Sequence, residues 1–209
     1  MANFKTMIRT LMFVFVVLFC ATTFYYYTEQ GKARAESLVP KLPDFEHTNN
    51  QQFIDNVVQC VAYIEHNTTD VYPVNLELLI AQAALESGWG NSRFARVGKN
   101  LFGIRTYDLK EPHMLPSNNP KKWGVRVYSH ECDSVLNYMQ ILNTGGAYEK
   151  YRELMNNGEN DPYILVETLD AYASDKYYFM KVKNILTKIR SEYAVKWYKK
   201  EVQENRQPC

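Results

Sequence analysis

The sequence predicts a mainly helical α+β domain behind an apolar amino-terminal segment. Three observations lead there. Apolar residues recur at helical spacing in six separate segments. A single central stretch, from Phe102 to Tyr128, instead collects Gly103, Pro112, Pro116, Pro120 and Gly124 between β-leaning ends. Before all of these, Lys5 and Arg9 precede an uncharged run from Leu11 to Thr28.

That first run carries the pattern of a membrane signal with its start held inside, and at ~1.5 Å per residue it can cross a hydrocarbon core with little to spare. The expected organisation is a signal-anchor over residues 1–35, a linker over 36–50 with Pro40 and Pro43, a domain over 51–193 and a charged tail over 194–209. A single-pass anchor in the cytoplasmic membrane, with the domain in the periplasm or another extracytoplasmic space, is one outcome. The rival is secretion after cleavage near Ala35, because Ala33-Arg34-Ala35 has the small-x-small form of a signal-peptidase site.

Helical periodicity covers Phe53 to His66 and then Leu76 to Ser87, where Asn75 marks a start and Gly88 a stop. The central stretch reads as a short hairpin of Ile104–Tyr107 with Val125–Tyr128, joined by a long polar loop. Helices resume over Cys132–Asn143, Tyr148–Asn156, Tyr163–Leu169 and Tyr177–Tyr193, the last with Val182, Ile185, Leu186 and Ile189 on one face.

The most informative helix is the second. Leu76, Leu79, Ile80, Ala83 and Ala84 form one face while Leu78, Ala81 and Leu85 fill much of the other, so it is expected to be buried nearly all round. Glu86 stands in its last turn, where desolvation and the negative end of the helix dipole both disfavour ionisation. A carboxyl kept protonated near neutral pH can act as a general acid. Trp89, beside it, fits either a ring that stacks a sugar or a core anchor.

Composition narrows the class. A net charge of +1 with no basic run gives no sign of a nucleic-acid partner, and there is no glycine-rich phosphate loop. The four histidines have no spacing with cysteine or acid that marks a metal site, so neither a metal nor a cofactor is expected. Sixteen tyrosines and three tryptophans suit a carbohydrate site as well as an ordinary core. Cys60 and Cys132 can form a disulfide if geometry brings them together. Oligomeric state is not readable.

Glu86-Ser87-Gly88-Trp89-Gly90, followed by Lys99-Asn100-Leu101-Phe102-Gly103-Ile104, resembles the signature of bacterial endo-β-N-acetylglucosaminidases of glycoside hydrolase family 73. Val125-Arg126-Val127-Tyr128, Asn137-Tyr138-Met139 and Tyr172-Ala173-Ser174-Asp175 extend the likeness, which is strongest to the Bax-like branch and covers Gln51 to Ile189. Lys176 stands where a proline is usual. The resemblance implies a lysozyme-like fold, with a helical lobe, a small β-hairpin lobe and a saccharide groove between them.

It also implies a peptidoglycan hydrolase that cleaves β-1,4 bonds after N-acetylglucosamine, with Glu86 as proton donor. Family members with a clear second carboxylate carry it in the β-lobe, which points to Asp108 or Glu111, and less to Glu131. A substrate-assisted route through the 2-acetamido group needs no such partner and gives Tyr172 more weight. Trp89, Asn100, Phe102 and Tyr178 are the expected substrate-binding residues. The alternatives are a muramidase or lytic transglycosylase, a non-catalytic wall-binding or scaffold protein, and an enzyme acting on the chitobiose of glycoproteins.

Overall fold

The computed structural model describes residue 15 and residues 17–30, 39–70, 72–117, 122–172 and 175–194. Residues 1–40 and 41–209 form two units. In the first, residues 17–30 are helical and bear exposed Phe19, Phe24 and Tyr25–Tyr27. Among the described residues no helix is long and apolar enough to cross a membrane. The apolar run from Leu11 lies partly outside the described residues, and the described helical residues 17–30 account for ~21 Å at ~1.5 Å per residue.

The second unit opens on the segment expected to be a tether. From Lys41 onward that segment is instead built into the domain: Phe45 sits in the core and the Pro43 carbonyl accepts from His130 Nε2 at 2.9 Å. Apolar residues at Pro43 and Phe45 give it something to bury, which a free linker lacks.

Helix α1 (Asn50–Asn67) begins where Asn49 accepts from the Gln52 amide, and buries Phe53, Ile54, Val57, Val61 and Ile64. Helix α2 (Leu76–Ser87) starts where Asn75 caps the Leu78 amide and ends at Gly88, which takes φ +59°. It is the central element. Leu78 through Ala84 are all buried, and α2 packs against both α1 and the last helix.

The exit from α2 is pinned tightly. Gly88, Trp89 and Gly90 take φ of 59°, 58° and 77° in succession. Ser87 Oγ donates to the Ala83 carbonyl at 2.6 Å and accepts from the Gly90 amide at 2.7 Å, so the turn folds back on the helix. A Cβ on Gly90 would meet the His47 ring at 2.5 Å, which is why the second glycine is needed.

A short helix α3 (Arg93–Gly98), capped by Ser92, leads into the β-lobe. There β1 (Arg105–Thr106), β2 (His113–Met114) and β3 (Gly124–Arg126) form an antiparallel sheet in the order β1-β3-β2. Arg105 pairs with Val125 and His113 with Arg126. The expected two-stranded hairpin is therefore corrected to three strands. The loop folds back to cover the second edge of β3, giving its backbone groups partners on both sides.

Helix α4 (Glu131–Thr144) opens with a capping box between His130 and Asp133. A 3-10 turn at Gly146–Tyr148 precedes α5 (Glu149–Asn156). Helix α6 (Pro162–Leu165) starts on an Asp161 cap with proline at its first turn and runs into a 3-10 turn, Val166–Thr168. Helix α7 (Tyr178–Glu192) closes the core with Val182, Leu186 and Ile189. The charged tail lies outside the described residues beyond Ala194.

Cys60 on α1 and Cys132 on α4 are joined in a disulfide with Cα atoms 5.0 Å apart. His130 lies beside it, with one ligand atom from each of the three residues within 4.8 Å of the others. Both sulfurs are in the covalent bond. His130 Nδ1 accepts from the Cys132 amide at 3.1 Å while Nε2 faces the Pro43 carbonyl, so the cluster is a structural knot that ties α1, α4 and the entering segment.

Candidate active site

A groove of about 580 Å³ is walled by Glu86 at the end of α2, by the Phe102–Arg105 segment leading into β1, and by Tyr172 and Asp175 before α7. The three motifs singled out in the sequence thus meet in one place. Gly103 takes φ +64°, a conformation that favours glycine, and it faces Glu86, whose Oε2 would lie in ordinary contact, 3.9 Å, from a Cβ there.

Glu86 is half-buried among aromatic rings. Phe102 stacks on Tyr138 at 4.2 Å, Tyr172 stacks on Tyr178 at 5.6 Å, and Tyr138 meets Tyr172 edge-on. Burial in this setting holds the Glu86 carboxyl above its ordinary value of 4.5, against the opposing effects of a hydrogen bond from Tyr178 and the charge of Lys181. Burial also keeps the phenols of Tyr138, Tyr172 and Tyr178 well above their ordinary value, so each stays a neutral donor.

Beneath Glu86 runs a buried polar chain. The Tyr138 hydroxyl donates to Gln82 Oε1 and Gln82 Nε2 donates to the Tyr178 hydroxyl at 2.7 Å, and Tyr178 in turn favours the ionised form of Glu86 against burial. Gln82 is 0 % exposed. It precedes Glu86 by one helical turn, so both side chains leave the same face of α2. Sequence reasoning passed over it, although a glutamine in an otherwise apolar helix was a readable signal.

Tyr172 donates its hydroxyl to the Phe102 carbonyl at 3.1 Å, which joins the closing motif to the second one. Tyr178 is buried, stacks on Tyr172 and does not itself line the groove.

Asn100 is buried as a backbone clasp. Its amide nitrogen donates to the carbonyls of Ile104 and Arg126, and its oxygen accepts from the amides of Phe102 and Ile104. It shapes the groove wall without lining it. Trp89 is likewise outside the groove: its ring packs against Phe53 at 6.0 Å and Tyr193 at 5.6 Å. The left-handed turn aims the indole into the core, away from the place beside Glu86 that sequence proximity suggests.

The expected carboxylate partners do not join Glu86. Asp108 is exposed and caps a turn through the Lys110 amide at 2.9 Å. Glu111 is engaged by Arg126 at 2.8 Å and by Thr106 at 2.6 Å, and the Thr106 hydrogen bond, followed by the Arg126 charge, lowers its pKa. Arg126 also reaches Asn137 at 3.1 Å, so Glu111 helps lock the β-lobe to α4. Glu131, 6 % exposed, pairs with Lys99 at 2.9 Å in a separate pocket.

The carboxylate that does share the groove is Asp175. Lys181 holds it at 2.5 Å, and that hydrogen bond, with one from the Tyr177 amide, keeps its pKa low. The groove therefore offers one carboxyl biased toward the acid form and one biased toward the anion, the division of labour that glycoside hydrolysis uses. Ala173 and Ser174 of the closing motif lie outside the described residues.

Residues 63–191 match the profile of the family described as Glucosaminidase, mannosyl-glycoprotein endo-beta-N-acetylglucosaminidase. The exo-glucosaminidase LytG of Bacillus subtilis (strain 168) is 28% identical over 153 residues, covering 68% of this chain and 53% of LytG. The peptidoglycan hydrolase FlgJ of Vibrio parahaemolyticus serotype O3:K6 is 34% identical over 135 residues, covering 56% of this chain and 42% of FlgJ. The chain thus spans about half the length of these curated relatives, or less. Among solved structures, the catalytic domain of the autolysin Auto from Listeria monocytogenes superposes with a TM-score of 0.51 at 24% identity, covering 78% of this chain and 94% of that domain, a likeness of fold.

Proposed function

The chain belongs to the glucosaminidase family of mannosyl-glycoprotein endo-beta-N-acetylglucosaminidases, and from that premise we propose that it is a peptidoglycan hydrolase cleaving the β-1,4 bond after N-acetylglucosamine. One observation carries the proposal: Glu86 is a carboxyl raised in pKa by burial, set in a sugar-sized groove between the two other family motifs.

Glu86 protonates the leaving glycosidic oxygen. Charge then develops at the anomeric carbon, either the substrate's 2-acetamido oxygen or the ionised Asp175 stabilises it from the groove, and water adds there as its proton returns to the Glu86 carboxylate. Tyr172, a neutral phenol already anchored on the Phe102 carbonyl, positions the acetamido group. The peptidoglycan assignment draws on the FlgJ likeness. The endo mode draws on the family description, while the LytG likeness supplies the exo alternative.

We place this activity outside the cytoplasm. Lys5 and Arg9 before the Leu11–Thr28 run support export with the apolar segment as an anchor or a cleaved signal, and the Cys60–Cys132 disulfide suits an oxidising compartment.

The test is digestion of purified peptidoglycan by the full chain beside Glu86→Gln, with mass analysis of borohydride-reduced products. Reduced N-acetylglucosamine ends from the native protein alone support the proposal, and oligosaccharide lengths separate endo from exo cutting. Muramic or anhydro-muramic ends would replace it with a muramidase or transglycosylase. No products from folded protein would leave a wall-binding role.

A further inference from the structure

Three charged side chains line the Glu86 groove: Glu86, Asp175 and Arg105. Burial biases Glu86 toward neutrality, and Lys181 neutralises Asp175. Arg105 has no carboxylate partner among the described residues, so it is the uncompensated charge of the groove.

It is also held in place. Arg105 on β1 pairs with Val125 on β3, and Trp123, two residues before Val125, stands diagonally across. The guanidinium lies 4.0 Å from the centre of the Trp123 ring. Stacking of this kind occupies a face of the guanidinium and leaves its in-plane N–H groups free. A planar cation with free edge donors suits two-point binding of a carboxylate.

Resting on the glucosaminidase reading, we infer that Arg105, backed by Trp123, is a carboxylate-binding subsite that selects glycan strands bearing acidic substituents over neutral N-acetylglucosamine polymers. In peptidoglycan every second sugar carries a lactyl ether whose acyl chain leads to a peptide ending in free carboxylate. The chitobiose core of a glycoprotein carries no such group. The same bond can therefore be offered in two chemical settings, and Arg105 distinguishes them.

The test uses three ligands on the full chain: peptidoglycan oligosaccharides with free peptide carboxylates, the same strands with those carboxylates amidated, and chito-oligosaccharides of matched length. Arg105→Gln is expected to raise KM for the free-carboxylate strand about tenfold, the scale of a charge-assisted hydrogen bond. The kcat for that strand stays near native, and both neutral ligands are unaffected. Arg105→Lys recovers part of the loss, and Trp123→Leu reproduces a smaller one.

Calorimetric binding of the three ligands to the Glu86→Gln protein, with and without Arg105→Gln, asks the same question without turnover. A selective loss there supports the subsite even if the cleaved bond is not the proposed one. Equal effects on charged and neutral ligands, no effect on the charged one, or no binding of any ligand would overturn it.

Discussion

Gln82 Nε2 donates to the Tyr178 hydroxyl at 2.7 Å, and this bond orients the buried polar chain beneath the Glu86 carboxyl. The buried Tyr138 hydroxyl donates to Gln82 Oε1, and reversing the amide would leave that proton without its acceptor. Tyr178 accepts from Gln82, which leaves its own proton to favour the ionised form of Glu86. Tyr178→Phe is expected to raise the Glu86 pKa, since the lost bond favours the carboxylate. The alkaline limb of kcat against pH should move upward, with about a fivefold loss at the optimum, the scale of a ~1 kcal/mol hydrogen bond. A lower kcat with an unmoved limb would make Tyr178 a packing residue only.

Glu86 should weaken the fold at neutral pH. Its folded pKa lies above the ordinary 4.5, so between those two values the native state holds more proton than the unfolded chain, and stability falls as pH rises. Glu86→Gln removes the ionisation. Its melting temperature should match native near pH 4 and exceed it at pH 7, while turnover drops by ~10²–10⁴. A constant difference in melting temperature across that range would refute a raised pKa.

Asp175 is expected to matter to turnover where Asp108 and Glu111 do not. Asp175→Asn removes the anion of the groove and should lower kcat at least tenfold; a near-native kcat would refute a role for Asp175 and leave the acetamido group to act alone. Asp108→Ala should leave both rate and stability near native. Glu111→Ala should lower the melting temperature through the freed Arg126, with kcat retained. Steady-state kinetics and thermal scans of the three variants separate these outcomes.

Much of this arrangement was legible in the residues. Helix α2 was read to its ends because Asn75 and Gly88 are strong punctuation around an apolar run. Glu86, Phe102 and Tyr172 meet as the linked motifs implied. What escaped had weak local signals. Helix α3 is too short to show a period, and β2 is a two-residue strand made by pairing with β3, not by alternation. Asp175 was visible inside the closing motif but was passed over for β-lobe acids, and its place in the groove depends on the chain path before α7. Gln82 shows the converse: its signal was present, and only the fold reveals which tyrosines it joins.

The disulfide should contribute substantially, because it joins segments 72 residues apart in sequence. Constraining so long a loop in the unfolded chain is worth about 4 kcal/mol, with strain and residual structure reducing the yield. Cys60→Ala with Cys132→Ala should lower stability by about 2–4 kcal/mol in urea unfolding, and a reductant should reproduce the loss in the native chain. No loss on reduction would mean that the His130 knot and the apolar contacts of α1 with α4 suffice.

Trp89 tests whether adjacency to Glu86 in sequence means adjacency in function. Its indole packs on Phe53 and Tyr193 while its backbone is held at φ +58°, a conformation that costs a non-glycine residue roughly 1–2 kcal/mol. Trp89→Ala keeps most of that strain and deletes the packing, so it should destabilise by about 3 kcal/mol. Trp89→Gly relieves the strain and should be less damaging than alanine, the reverse of the usual order for the two residues. In both, KM for the glycan should stay near native wherever the protein remains folded, since the ring does not reach the groove. A raised KM at unchanged stability would instead return Trp89 to the sugar site.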